Sequence, residues 1–330
     1  METATVVSLT MAVLSGFCHG DLLPAGPLNG ALGENMTFNV TLSPPEPPKA
    51  VTWSFGVNTI IILSGGTETI VGDYKGRVTL SRTTGSLELR NLSQDDSGEY
   101  TVNINTAADV SLKKTTRLKV FEIISNVDIP YPTNLPIMEG NSVTLTCDAS
   151  GSISTREWMK AGQPLSPSDN ILFSEDNKTA SINPVKRTDS GIYMCRVSNP
   201  INSDNANYNL TVNYGPDGIE IKGPTEIEVG QKFTLTCSAD SIPTASYTWM
   251  HNGTKILGHS PELIKGKSEY FDSGNYTCTA TNYVTGNNTS AVHELSVAAV
   301  GSLTPGLSAG AITGIVIVVL VVVGGAVGVA

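Results

Sequence analysis

The chain has 330 residues, a formal net charge of −10 and only 15% charged residues. Its length suggests two or three domains. The acidic balance, with no basic stripe to neutralise phosphates, argues against nucleic acid as a partner. The histidines His19, His251, His259 and His293 are scattered. There is no nucleophile–base arrangement, phosphate loop or metal constellation, so neither an enzyme nor a cofactor is expected.

Residues 1–20 are expected to be a secretory signal peptide. A short apolar run from Ala4 to Phe17 is followed by small residues and then Asp21. That run is too short to span a bilayer of about 30 Å comfortably. Cys18, the odd one of five cysteines, lies in this N-terminal segment.

Residues 21–122 form the first expected domain. Val40 lies seven residues after Gly33, Trp53 follows, and the stretch Asp96-Ser97-Gly98-Glu99-Tyr100-Thr101-Val102 comes near the end. The Pro-rich Ser43–Pro48 connects the first two features, and proline cannot donate to a sheet ladder. Residues 123–214 repeat the pattern with Gly140 to Cys147, Trp158 and Asp189-Ser190-Gly191-Ile192-Tyr193-Met194-Cys195. Residues 215–298 repeat it again with Gly230 to Cys237, Trp249 and Asp272-Ser273-Gly274-Asn275-Tyr276-Thr277-Cys278. Three copies in register mark an internal repeat. Each strand alternates as a half-buried antiparallel strand should: Val143, Leu145 and Cys147 against Ser142, Thr144 and Thr146.

Asn-x-Ser/Thr sequons stand at Asn35, Asn39, Asn91, Asn177, Asn209, Asn252, Asn275, Asn287 and Asn288. Residues 299–310 read as a small-residue stalk. Residues 311–330 are a continuous apolar segment of about the 20 residues that a span needs. Two readings of this end stay open: a transmembrane helix, or a lipid-anchor signal of the GPI type. The absence of a stop-transfer charge favours the second.

The repeated Tyr-x-Cys, Trp and upstream Cys resemble the immunoglobulin fold. The fold class expected is all-β: three tandem immunoglobulin-like sandwiches plus one C-terminal apolar helix. On this resemblance the first domain is V-type without a disulfide, the second C2/I-type and the third C2-type. The tyrosine hydroxyl turns back onto the corner before its strand, and the cysteines pair across the sheets as Cys147–Cys195 and Cys237–Cys278. Such bridges imply an oxidising, extracellular compartment. Arg77 matches the arginine that pairs with the corner aspartate, here Asp96. The spacing of Trp53 and Tyr100 leaves room for C′ and C″ strands.

The cysteine-free first domain, the linker Tyr214-Gly215-Pro216-Asp217 and the membrane entry Gly306–Ile317 together resemble the carcinoembryonic-antigen-related cell adhesion molecule family. The resemblance implies an adhesion or recognition glycoprotein on the outer face of the plasma membrane. Its partner would be another cell-surface protein, homophilic or heterophilic, bound through the GFCC′ face of the first domain. By position that face takes Thr52 and Ser54 on strand C, Ile61 on C′, and Asn103 and Asn105 on F. They point outward if Val51, Trp53, Val102 and Ile104 point inward. An alternative is an immune-type signalling receptor whose cytoplasmic tail lies beyond this sequence.

Overall fold

The structure, a computed structural model, describes residues 21–303. The expected signal peptide, most of the stalk and the C-terminal apolar helix lie outside the described residues. Among the described residues no helix is long and apolar enough to cross a membrane.

The first domain has nine strands: β1 (Leu28–Ala31), β2 (Met36–Phe38), β3 (Ala50–Phe55), β4 (Asn58–Ser64), β5 (Thr67–Ile70), β6 (Val78–Leu80), β7 (Leu87–Leu89), β8 (Gly98–Asn105) and β9 (Ser111–Phe121). They make a six-stranded sheet, β1-β9-β8-β3-β4-β5, against a three-stranded one, β2-β7-β6. Strands β3, β4, β8 and β9 are C, C′, F and G of the immunoglobulin pattern, and β5 is C″. Strand β8 shows why these residues form a sheet. Tyr100, Val102 and Ile104 are buried while Glu99, Asn103 and Asn105 face out, the period-2 alternation of a half-buried strand.

The first core is assembled where the other domains carry a disulfide. Val40 and Val102 belong to one buried cluster, and Trp53 is fully buried within it. Phe38 fills the space between the sheets, its ring 5.5 Å from Trp53 and 4.5 Å from Tyr100. The Trp53 indole donates to the Gly85 carbonyl at 2.9 Å.

The second domain comprises β10 (Ser125–Asp128), β11 (Val143–Thr146), β12 (Asp148–Ser150), β13 (Thr155–Lys160), β14 (Gln163–Pro164), β15 (Ile171–Phe173), β16 (Thr179–Ile182), β17 (Gly191–Ser198) and β18 (Ser203–Leu210). Its main sheets are β14-β13-β17-β18 and β11-β16-β15. The third domain comprises β19 (Tyr214–Lys222), β20 (Glu226–Glu228), β21 (Phe233–Ile242), β22 (Ser246–His251), β23 (Thr254–Ile256), β24 (Glu262–Lys265), β25 (Gly274–Thr281) and β26 (Asn288–Ala298). It forms β20-β26-β25-β22-β23 over β19-β21-β24. Disulfides Cys147–Cys195 and Cys237–Cys278 join the sheets, with Cα–Cα separations of 6.2 and 6.5 Å.

The corner motif is the same in all three domains. A single 3₁₀ turn ends at Asp96, Asp189 or Asp272, each buried. Tyr100, Tyr193 and Tyr276 each donate a hydroxyl hydrogen bond of 2.9 Å to the carbonyl of that aspartate, four residues back. The glycine is needed for different reasons. Gly191 and Gly274 adopt φ of 139° and 137°, where a side chain is strained. Gly98 is instead held by the Phe55 ring, into which a Cβ would project.

Candidate partner-binding face

The side of the six-stranded sheet turned away from the core is the candidate face. Cross-strand register sets its rows. Thr69, Ile62, Thr52, Asn103 and Lys113 lie side by side across β5, β4, β3, β8 and β9. A second row runs Thr59, Ser54, Thr101 and Thr115, and the hydroxyls of Thr101 and Thr115 meet at 3.0 Å. Asn105 continues the face toward Ala50 and Ser111. The centre of the surface is hydrogen-bonding, with the apolar Ile62 beside Thr52 and charge on the β8–β9 side at Lys113 and the cross-strand pair Glu99–Arg117.

Thr52 and Ser54 are half-buried on this face, and Asn103 and Asn105 are exposed on it. Ile61 is not there: it is 0% exposed, in the core, whereas its neighbour Ile62 is 37% exposed. The cause is a β-bulge. Trp53 pairs with Ile61, but the next residue, Ser54, pairs with Thr59, so Ile60 is inserted. The extra residue turns Ile60 and Ile61 inward together and puts Ile62 outward. The apolar contribution of strand C′ to the face is therefore Ile62.

The face is positioned by the corner beneath it. Arg77 donates to Asp96 at 2.5 Å and to the carbonyls of Arg90 and Asn91. That hydrogen bond to Asp96 is the main reason the Arg77 guanidinium is raised above its ordinary pKa. Asp96 also accepts from the Ser93 amide at 2.7 Å. The third domain puts Lys265 in the same role, 2.9 Å from Asp272. In the second, Asn170 donates to Asp189 at 3.2 Å.

Two further sets of residues, unforeseen from the sequence, hold the domains together. Asn199 and Asn282 each stand four residues after the second cysteine of their domain. Asn199 donates to the Glu122 and Ser152 carbonyls, both at 2.9 Å. Asn282 donates to the Tyr214 and Ile242 carbonyls, both at 3.0 Å. Each asparagine thus grips the segment arriving from the domain before it. The repeated Cys-x-x-x-Asn is the signal that marks them.

At the second junction Arg187 of the middle domain pairs with Glu139 at 3.0 Å, with Asp240 at 3.0 Å and with Asp217. Its guanidinium carbon lies 3.9 Å above the Tyr214 ring. The bonds to Asp217 and then Glu139 hold that guanidinium well above its ordinary pKa. Tyr214 donates to Asp240 at 2.9 Å, and a Cβ at Gly215 would collide with the Asp240 carbonyl oxygen. The linker Tyr214-Gly215-Pro216-Asp217 is therefore part of β19 and of this clamp. Among the described residues no cluster of three or more His, Cys, Asp or Glu is arranged to hold a metal.

Sheet pairing, corner tyrosines and bridged cysteines define a tandem immunoglobulin-domain protein. Residues 24–121 match the immunoglobulin V-set domain, 127–212 the immunoglobulin I-set domain and 219–297 a further immunoglobulin domain. The chain belongs to the immunoglobulin superfamily. Its sequence is 26% identical to mouse HEPACAM family member 2 over 334 residues, covering 91% of this chain and 71% of the relative. It is 28% identical to the human HEPACAM family member 2 over 69% of this chain, and spans about half of that relative (53%).

Two solved structures share the fold. Murine CEACAM1b is 24% identical with a TM-score of 0.51, covering 58% of this chain and 98% of that one. The ectodomain of mouse nectin-like molecule 4, with its three immunoglobulin domains, is 19% identical with a TM-score of 0.57, covering 84% and 99%. The resemblance to the carcinoembryonic-antigen-related family is thus corrected in part. The fold is shared with a member of it, while these sequence relatives are HEPACAM family members.

Proposed function

We propose that this chain is a cell-surface adhesion or recognition glycoprotein that binds a partner protein through the outer side of the six-stranded sheet of its first domain. The reading rests chiefly on where the sequons fall. Asn35, Asn39 and Asn91 flank β2 and β7, the strands of the opposite sheet. No sequon falls on β3, β4, β5, β8 or β9. Sugar on the three would cover one side of the domain and leave the candidate face bare.

The chemistry of that face suits a contact made by many weak bonds. Thr52, Ser54, Thr101, Asn103 and Asn105 offer donors and acceptors without charge, and Ile62 supplies an apolar centre. Desolvating such a surface is cheap compared with desolvating ions. One contact of this kind is weak, and strength comes from many copies on opposed membranes. Two further domains hold the face away from the membrane that the C-terminal segment is expected to enter. The similarity to adhesion-type immunoglobulin proteins points the same way.

The test is trans aggregation of cells displaying the chain. Ile62→Arg and Asn103→Arg are expected to abolish aggregation at unchanged surface level. Ile61→Arg is expected to lose surface display instead, because it forces a charge into the core at a cost on the order of 4 kcal/mol. Aggregation by Ile62→Arg equal to that of the unaltered chain rejects the face.

A further inference from the structure

The middle domain leaves five large apolar side chains exposed: Ile123, Tyr131, Leu135, Leu172 and Ile192. Apolar side chains exposed singly are ordinary, but grouped beside one feature they invite a physical account. Four of the five sit beside one of the domain's two sequon asparagines. Leu172 and Asn177 line one groove. Tyr131, Leu135 and Asn209 line another. Ile192 is the cross-strand partner of Asn209.

The groove at Asn177 has about 570 Å³, within the range of small-molecule sites of about 300–1,000 Å³. It opens between the β13–β14 hairpin and the turn joining β15 to β16, with Trp158, Met159, Leu165 and Phe173 in its wall. Arg156 also lines it. That side chain is only 12% exposed. One terminal nitrogen lies 3.4 Å from Asp176, but its Nε is buried with no hydrogen-bond partner. A buried donor left unpaired is destabilising, and a turn of the Arg156 side chain toward the groove would bring it to an acceptor there. The Asn177 amide nitrogen is 3.4 Å from the Arg156 carbonyl oxygen, which turns it across the rim toward β13. The main-chain carbonyl of Asn177 accepts from the Trp158 indole at 2.8 Å and fixes the turn.

We infer that the first N-acetylglucosamine of a glycan on Asn177 lies in this groove. This rests on the reading of the chain as a cell-surface glycoprotein. Attachment joins the Asn177 amide nitrogen to sugar C1. The C1–O bond to a lipid-diphosphate donor breaks, the diphosphate leaves and one amide proton is released. The remaining N–H keeps the contact with the Arg156 carbonyl. The apolar side of the sugar covers Leu172 and the edge of Trp158, and a sugar oxygen accepts from Arg156 Nε once that side chain turns into the groove. Masked in this way, the groove at Asn177 offers partners little apolar surface.

The ectodomain secreted from mammalian cells, its glycans trimmed to a single N-acetylglucosamine, is the material for the test. Glycopeptide mass spectrometry reads occupancy, and hydrogen–deuterium exchange reads β13 and the segment from Pro164 to Phe173. Thr179→Ala and Asn177→Gln both destroy the sequon, while Thr179→Ser keeps it. Both sequon losses are expected to speed exchange there several-fold and raise hydrophobic-dye binding. Thr179→Ser and the trimmed protein are expected to match the untrimmed one. Asn177 found bare while other sequons carry sugar overturns the inference, as does unchanged exchange in Thr179→Ala and Asn177→Gln. Absence of sugar from all nine sequons defeats the surface reading as well.

Discussion

The three corner tyrosines carry the same bond, and their titration gives it a pH signature. Burial raises the phenols of Tyr100 and Tyr193 well above their ordinary value and pushes that of Tyr276 up to about 12. The folded protein therefore holds these protons where an unfolded chain, titrating near about 10, releases them. Their contribution to stability is complete below pH about 10 and is lost as pH rises through the folded values. Denaturant midpoints measured from pH 8 to 12 are expected to fall in this window. Tyr276→Phe should lose about 1 kcal/mol at neutral pH and flatten the alkaline fall of its own domain. A fall that begins below pH 9 and survives all three Tyr→Phe changes contradicts this. These tyrosines were legible from the sequence, because Asp, Gly and Tyr at fixed offsets recur three times. Ile62 was not. The run Ile60-Ile61-Ile62-Leu63 is apolar throughout, so it carries no alternation from which to read direction. The bulge that decides it lies in the pairing with β3.

At the scale of strands, the domains divide by how their two sheets are joined. Bridges closing sequence separations of 48 and 41 residues stabilise the second and third domains by about 4 kcal/mol each in the chain-entropy account. The first relies on Phe38, Val40, Trp53, Tyr100 and Val102 packing alone. Reductant under mild denaturant is therefore expected to accelerate deuterium uptake in β11, β17, β21 and β25 and to leave β3 and β8 unchanged. Uptake rising equally in β3 and β8 would show that the first domain leans on its neighbours. The strands were readable from period-2 alternation, and the missing bridge from Val40 and Val102 in cysteine positions. Lys265 was hidden, because it reaches the corner from seven residues before its aspartate, whereas Asn170 holds the place of Arg77, 19 residues before its aspartate, with an unlike side chain.

Across the molecule, the two junctions differ in chemistry. The first is made by neutral hydrogen bonds around Asn199. The second adds Arg187 among Glu139, Asp217 and Asp240, and these exposed charges are open to screening. Raising salt from 0.05 to about 1 M, or introducing Arg187→Ala, is expected to broaden the angle between the second and third domains in solution scattering. The angle between the first and second should not change. Equal broadening at both junctions would reject the clamp. The linker was visible as a motif, but its partner Arg187 is a common surface residue type, and only the fold brings it over Tyr214.

The place of β9 has a mechanical consequence. It is a strand of the sheet that bears the candidate face, and it runs to Phe121 at the exit toward the middle domain. On the proposed reading, tension between two cells that enters at Asn103 crosses from β8 to β9 through an eight-residue ladder and leaves along the chain. The load passes within one layer and bypasses the opposing β2-β7-β6 layer. A cystine between the layers would lie off this route, and the first domain, which on that reading meets the force first, does without one.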